Sequence, residues 1–252
     1  MKILFVGDVY GKKGIEALET FLPIIKRDVG YHILIINGEN SADGLGIRDK
    51  EYKAMMQLGA HAITLGNHGF SKKEIFDFID DSRLVRALNY PNNTPGKGVQ
   101  TIQFNAEKIA VISVIGRVFM HDPLNNPFEA LDASLATLDA DVILVDVHAE
   151  ATSEKLAIAH YLDGRVTAVV GTHTHVQTND PMVLPKGTLY ITDVGMTGAL
   201  YGILGADKEL VMQKFLSGMP VRLKPSNSPK IQLNAVLIDT DAKTIKTIQK
   251  FN

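Results

Sequence analysis

The sequence contains no cysteine, which excludes disulfides, thiolate metal sites and cysteine nucleophiles and makes the cytoplasm the natural compartment. No apolar run approaches the ~18 residues that a membrane span requires. The opening run Lys2–Val6 lacks the basic region, longer apolar stretch and small-residue cleavage site of a leader peptide, and reads as a strand. Neither sign of charge forms a long run, and 26 basic against 28 acidic residues leave a formal net charge of −2. That balance argues against a broad basic surface for long nucleic acid, yet is compatible with a small phosphorylated substrate. Internal repeats and low-complexity linkers are also missing. The glycines at 7, 11 and 14 have neither Gly-x-Gly-x-x-Gly spacing nor a terminal Gly-Lys-Ser/Thr, so they do not form a nucleotide loop. The lack of a Gly-x-Ser-x-Gly elbow removes the serine-hydrolase reading.

What remains is a soluble-type composition, 45% apolar with a mean hydropathy of +0.05, over 252 residues. That length can bury a sizeable core, and it reads as one domain spanning 1–252. Short runs rich in β-branched residues recur at 3–6, 33–36, 62–65, 109–112, 142–145, 166–170 and 189–192. They are too short for buried helices and read as central strands covered on both faces. Between the first two, Ile15, Leu18, Leu22, Ile25 and Val29 make one helical stripe. Pro23 lies within it, and an interior proline costs ~3 kcal/mol, so a kink or an earlier helix end is expected there. Further helices are expected around 49–58, 72–80, 127–138, 153–162 and 207–217, an edge strand over 97–106 and a closing hairpin over 232–249. The stretch from Pro220 to Pro229 is a loop, a candidate flap over the site. Alternation of this kind gives an α/β protein with helices packed on sheet faces.

Unusual polar residues collect at the ends of the strands. Asp8 follows the first, Glu39 and Asn40 the second, Asn67 and His68 the third, His148 a later one, and His173 with His175 another. Open α/β sheets bind ligands at the carboxyl ends of their strands. Taken singly, Gly-Asp or Asn-Gly-Glu-Asn after a strand is more often a turn, and a lone histidine is more often a core residue. His173-Thr-His175 is stronger, because alternate residues of an extended segment project to one side and can chelate. Joint occurrence in this order favours metals. Oxygen and imidazole donors without sulfur suit Mn, Fe or Zn held as a pair, with Glu39 or Asp8 as the shared anion. Such pairs lie ~3.5–4 Å apart, lower the pKa of a bound water and clamp the attacking and leaving oxygens of an in-line displacement. His32, His61, His121 and His160 follow no motif and read as structural or surface residues.

The ordered set of Gly-Asp, acidic turn, Gly-Asn-His, lone His and His-x-His resembles the calcineurin-like metallophosphoesterases. More closely, the whole chain resembles the bacterial YmdB family of 2′,3′-cyclic-nucleotide phosphodiesterases. The residues that carry this are Ile3–Asp8, Asn37–Asn40, Gly66–His68, Asp146–Glu154, Val170–Gln177 and Tyr190–Gly198. The resemblance implies an α/β sandwich, β-sheets flanked by helices, with two metal ions: iron first, manganese or zinc as alternatives. It implies one metal held by Asp8, Glu39, Asn40 and His175, the other by Glu39, Asn67, His148 and His173, and His68 as proton donor. The implied substrate is a small 2′,3′-cyclic nucleotide, opened to a 3′-phosphate by metal-bound hydroxide. No membrane or long nucleic acid is implied as a partner, and homo-oligomerisation is left open. Two departures stand out. Position 10 is Tyr where the wider superfamily has His, so Asn40 takes the missing ligand's part, and Gly66-Asn-His-Gly-Phe70 replaces the family's Gly-Asn-His-Thr-Trp. Rival readings are a non-catalytic nucleotide or metal sensor, a phosphomonoesterase or nucleotidase, and an amidohydrolase. The late position of His-x-His speaks against the last.

Overall fold

Alternation along β1 (Lys2–Val6) sends Ile3 and Phe5 to one face and Leu4 and Val6 to the other, and both sets are fully buried. A strand apolar on both faces needs a layer on each side, and the chain supplies them. The computed structural model describes residues 1–80 and 82–252. After β1 come α1 (Gly11–Asp28), β2 (Ile33–Asn37), α2 (Asp49–Gln57), β3 (Ala62–Thr64) and β4 (Leu84–Val85). There follow β5 (Val99–Phe104), β6 (Glu107–Ile115), α3 (Pro127–Leu135), β7 (Val142–His148), α4 (Thr152–Leu162), β8 (Ala168–Thr172), β9 (Met182–Val183) and β10 (Leu189–Ile191). The chain closes with β11 (Gly198–Ala199), α5 (Lys208–Ser217), β12 (Ile231–Asp239) and β13 (Thr244–Phe251).

Among the described residues these strands form two sheets. The first has the order β11-β12-β1-β2-β3-β4, with β13 also paired to β12; the second has the order β5-β6-β7-β8-β10-β9. Strands β1 to β4 are parallel, as are β6, β7, β8 and β10, while β12 lies antiparallel to β1. The layers run helix, sheet, sheet, helix. Leu4, Val6 and Ile36 pack under Leu18 and Ile25 of α1. Ile3, Phe5 and Ile35 meet Val111, Leu144 and Val170 between the sheets. Val145 and Val147 pack against Leu131 of α3 and Ile158 of α4. Each such side chain contributes about 1.5–3 kcal/mol of burial. No helix among the described residues is long and apolar enough to cross a membrane.

Three expectations change. Helix α1 runs through Pro23 without ending early. Pro23 and Glu19 are both exposed, so the carbonyl that loses its intrahelical donor faces water and the break costs less than a buried one. The helix expected over 72–80 is only a short 3-10 turn, Lys73–Asp77, anchored by buried Ile75. The stretch 220–229 is not a flap over the site. Pro225 bridges to Ala206 and Ser226 N–H donates to the Gly205 carbonyl, so the loop packs behind the wall that faces the site.

Candidate metal centre

Parallel pairing brings the carboxyl ends of β1, β2, β3, β7 and β8 to one edge of the sandwich. The first sheet delivers Asp8, Glu39, Asn40 and Asn67 there; the second delivers His148, His173 and His175. Crowding at this edge demands small residues. A Cβ on Gly66 would lie 2.3 Å from Cδ2 of His148 and 2.4 Å from Oε2 of Glu39, inside the donor cluster itself.

All seven side chains meet. Nε2 of His148 lies 3.1 Å from Oε1 of Glu39, 3.0 Å from Oδ1 of Asn67 and 3.0 Å from Nδ1 of His173. A single N–H cannot serve three acceptors well, whereas a cation among them could. Glu39, His148 and His173 each offer one ligand atom, and these atoms lie within 4.8 Å of one another. On the other side, the Asn40 amide nitrogen lies 3.0 Å from Oε1 of Glu39 and 3.2 Å from Nε2 of His175. An amide flip would offer the oxygen instead. Oδ1 of Asp8, 4.0 Å from Nε2 of His175, is buried and has no hydrogen-bond partner among the described residues. An orphaned buried carboxylate oxygen and a crowd of acceptors around one proton fit a pair of cations, and oxygen and nitrogen donors suit Fe, Mn or Zn.

Charge in the cluster follows the same geometry. Burial opposes ionisation of Glu39, but the neighbouring His148 overcomes it and brings the carboxyl to about 2. Burial likewise opposes charge on His148, yet Glu39 and Asp8 raise it to about 9. Burial lifts Asp8 to about 6. Burial, and then the charge on His148, depress His173 to about 3. The proton on His148 therefore sits where cationic charge is wanted.

The His-x-His segment differs from its expected extended form. His173 has φ 98° and His175 φ 66°, so both occupy left-handed backbone. Their imidazoles consequently diverge: His173 turns to His148, and His175 turns to Asp8 and Asn40. Asp193 holds the turn. Its Oδ2 accepts from Thr174 N–H at 3.1 Å, the Thr174 hydroxyl at 2.7 Å and Lys155 Nζ at 2.7 Å. His68 lies beside the cluster, its backbone N–H donating to Oε2 of Glu39 at 3.1 Å. It lines a cavity of about 340 Å3 with Glu39, Asn40, Glu150, His175 and Leu204. Tyr10 packs edge-on against His175, with ring centroids 5.8 Å apart.

Several supporting residues carry no role in the sequence reading. Asp146 is one that strand alternation could have revealed, since it stands two residues before His148 on the same face of β7. Thr172 lies opposite His148 in the β7–β8 register. Glu150, 3.2 Å from Nε2 of His173, has no sequence signal of its own.

A two-sheet sandwich with such donors at the strand ends is the calcineurin-like metallophosphoesterase fold. Its outline is shared with the NAD nucleotidase of Haemophilus influenzae, at a TM-score of 0.60 and 13% identity over all of this chain and 55% of that one, a likeness of fold alone. Within that class the chain belongs to the YmdB-like protein family, whose pattern matches residues 4–251. It is 50% identical to the 2′,3′-cyclic-nucleotide 2′-phosphodiesterase of Bacillus subtilis strain 168, over 99% of this chain and 95% of that protein. A hypothetical protein from Thermus thermophilus has the same fold at a TM-score of 0.95 and 43% identity, with both chains covered in full.

Proposed function

We propose that residues 1–252 form a single-domain, two-metal phosphodiesterase that opens 2′,3′-cyclic nucleotides to 3′-nucleotides. The chain is an enzyme of the phosphodiesterase type, as its 50% identity to a protein of that name supports. The observation that carries the metal reading is the orphaned Oδ1 of Asp8 beside the Glu39, His148 and His173 cluster. One metal would be held by Asp8, Glu39, Asn40 and His175, the other by Glu39, Asn67, His148 and His173. Glu39 is the shared donor on this reading, because its Oε1 lies within 3.1 Å of both Asn40 and His148. When bound, two such cations lower the pKa of a water and offset charge on phosphoryl oxygens.

The remaining steps belong to side chains of this chain. Asn40 and Leu204 wall the cavity that receives the phosphodiester. His68 donates its proton to the departing 2′-oxygen as the bond from phosphorus to that oxygen breaks and a bond forms from phosphorus to the oxygen of a hydroxide, the water having already released its proton to solvent. A cyclic diester suits this device, because the leaving oxygen stays tethered near the same imidazole. The test is metal analysis of purified protein together with a panel of cyclic nucleotides, linear diesters and phosphomonoesters. Two metals and preferential opening of 2′,3′-cyclic substrates at the 2′-oxygen are expected. Protein that hydrolyses none of the panel after loading with iron, manganese or zinc, or that opens 2′,3′-cyclic nucleotides equally well once stripped of metal, would refute the reading.

A further inference from the structure

The three histidines of the cluster each turn one ring nitrogen inward, and the outward nitrogen of each meets a different kind of acceptor. For His148 the outward atom is Nδ1, 2.9 Å from the Thr172 hydroxyl. That hydroxyl is 2.7 Å from Oδ1 of Asp146. A hydroxyl has one proton, and an ionised carboxylate can only accept it, so toward His148 the hydroxyl must accept. In the neutral form that a cation requires, His148 is thereby fixed as the Nδ1–H tautomer, with Nε2, stripped of the proton it carries in the metal-free chain, turned inward. Asp146 is itself immobilised: Oδ2 accepts from the Thr64 hydroxyl at 2.6 Å and the Asn37 amide at 3.1 Å, and the carboxylate is fully buried. Strand pairing builds the chain, since Thr172 is the register partner of His148 and Asp146 is two residues back on the same face.

His173 is fixed the opposite way. Its outward Nε2 lies 3.2 Å from Oε2 of Glu150, which leaves Nδ1 to face inward. His175 sends Nδ1 to the Leu204 carbonyl at 3.1 Å, a neutral acceptor. Both carboxylate-backed imidazoles thus face one half of the cluster, and the carbonyl-backed one faces the other.

Resting on the metal reading above, we propose that Asp146–Thr172 and Glu150 are positioning residues for one metal position only, that of His148 and His173. Partners of this kind orient the imidazole and raise its basicity, and their removal typically costs 10–100-fold in metal affinity. The two supports differ in weight. The Asp146–Thr172 chain is sealed in the sandwich, whereas the Glu150 side chain is 51% exposed, so water can replace much of what it supplies.

The experiment measures the two stepwise zinc dissociation constants of the full chain by equilibrium dialysis, for wild type, Thr172→Val, Thr172→Ser and Glu150→Gln. Thr172→Val keeps the volume and removes the hydroxyl. It should weaken one of the two zinc equivalents by about 10–100-fold and leave the other within about twofold of wild type. Thr172→Ser should restore the lost affinity, and Glu150→Gln, an exposed change that spares the fold, should weaken the same equivalent by less. Equal weakening of both equivalents would mark Thr172 as a merely structural residue and overturn the inference. So would two unchanged constants in Thr172→Val and Glu150→Gln. A wild-type chain that binds no zinc, iron or manganese would instead overturn the metal reading, and this inference with it.

Discussion

His68 reaches the cavity from a backbone tied to Glu39, so its side chain can be removed without removing a donor of the cluster. His68→Ala is therefore expected to keep its metals and lose ~10²–10⁴-fold in turnover. A nitrophenolate leaving group needs no proton and should recover much of that loss; equal losses on both substrates would deny His68 the proton-donor role. Tyr10 makes a second case. Its ring fits between Gly44 and Gly205, where added Cβ atoms would lie 2.5 Å from Oη and Cγ respectively, and burial raises its phenol above the ordinary 10. A phenol so held is a poor metal ligand near neutral pH. Tyr10→Phe should retain two metals per chain, whereas Asn40→Ala should lose the one that Asp8 and His175 face, as metal stoichiometry would reveal. Loss of a metal in Tyr10→Phe would reverse the assignment.

Lys155 in α4 and Asp193 after β10 form an ion pair whose side chains are both fully buried. Lys155→Met would leave Asp193 charged, buried and short of a partner, at a cost of about 3–5 kcal/mol. Because Asp193 also holds Thr174, metal occupancy should fall along with the urea midpoint; an unchanged midpoint would refute this. The same pair shows why some of the site was legible and some was not. Strand ends were legible because β-branched runs stop at polar residues, and parallel order brings those stops to one edge. Alternation along β7 announces that Asp146 shares a face with His148. The bend of His173-Thr174-His175 is decided by a carboxylate from a later loop, and no local pattern predicts left-handed backbone at two non-glycine residues. The 3-10 turn at Lys73–Asp77 and the unbroken α1 are likewise decided by tertiary burial and by which face Pro23 occupies.

At the scale of the molecule, the cluster draws Asp8, Glu39, Asn40 and Asn67 from one sheet and three histidines from the other, so cations held there would tie the two sheets together. A ligand bound only by the folded state adds about 2.7 kcal/mol at a hundredfold excess over its Kd, so chelation should lower Tm in a scan of loaded against stripped protein. Identical melting would contradict this. The sign with pH follows from His148. Raised from 6.5 to about 9 in the metal-free chain, its proton stabilises fully below 6.5 and progressively less as pH rises through about 9. Stripped protein should therefore lose Tm across that window. Metal uptake at neutral pH should release a proton, visible as buffer-dependent heats in titration calorimetry. The order of the strands also bears on synthesis. Strand β1 waits for β12, its antiparallel neighbour, while the whole second sheet is made in between. At roughly 5–20 residues per second, the roughly 225 residues from Val6 to Ile231 take roughly 10–45 s to synthesise. For that interval the nascent chain carries an open apolar edge, and the ribosome-bound protein is the form most in need of a chaperone.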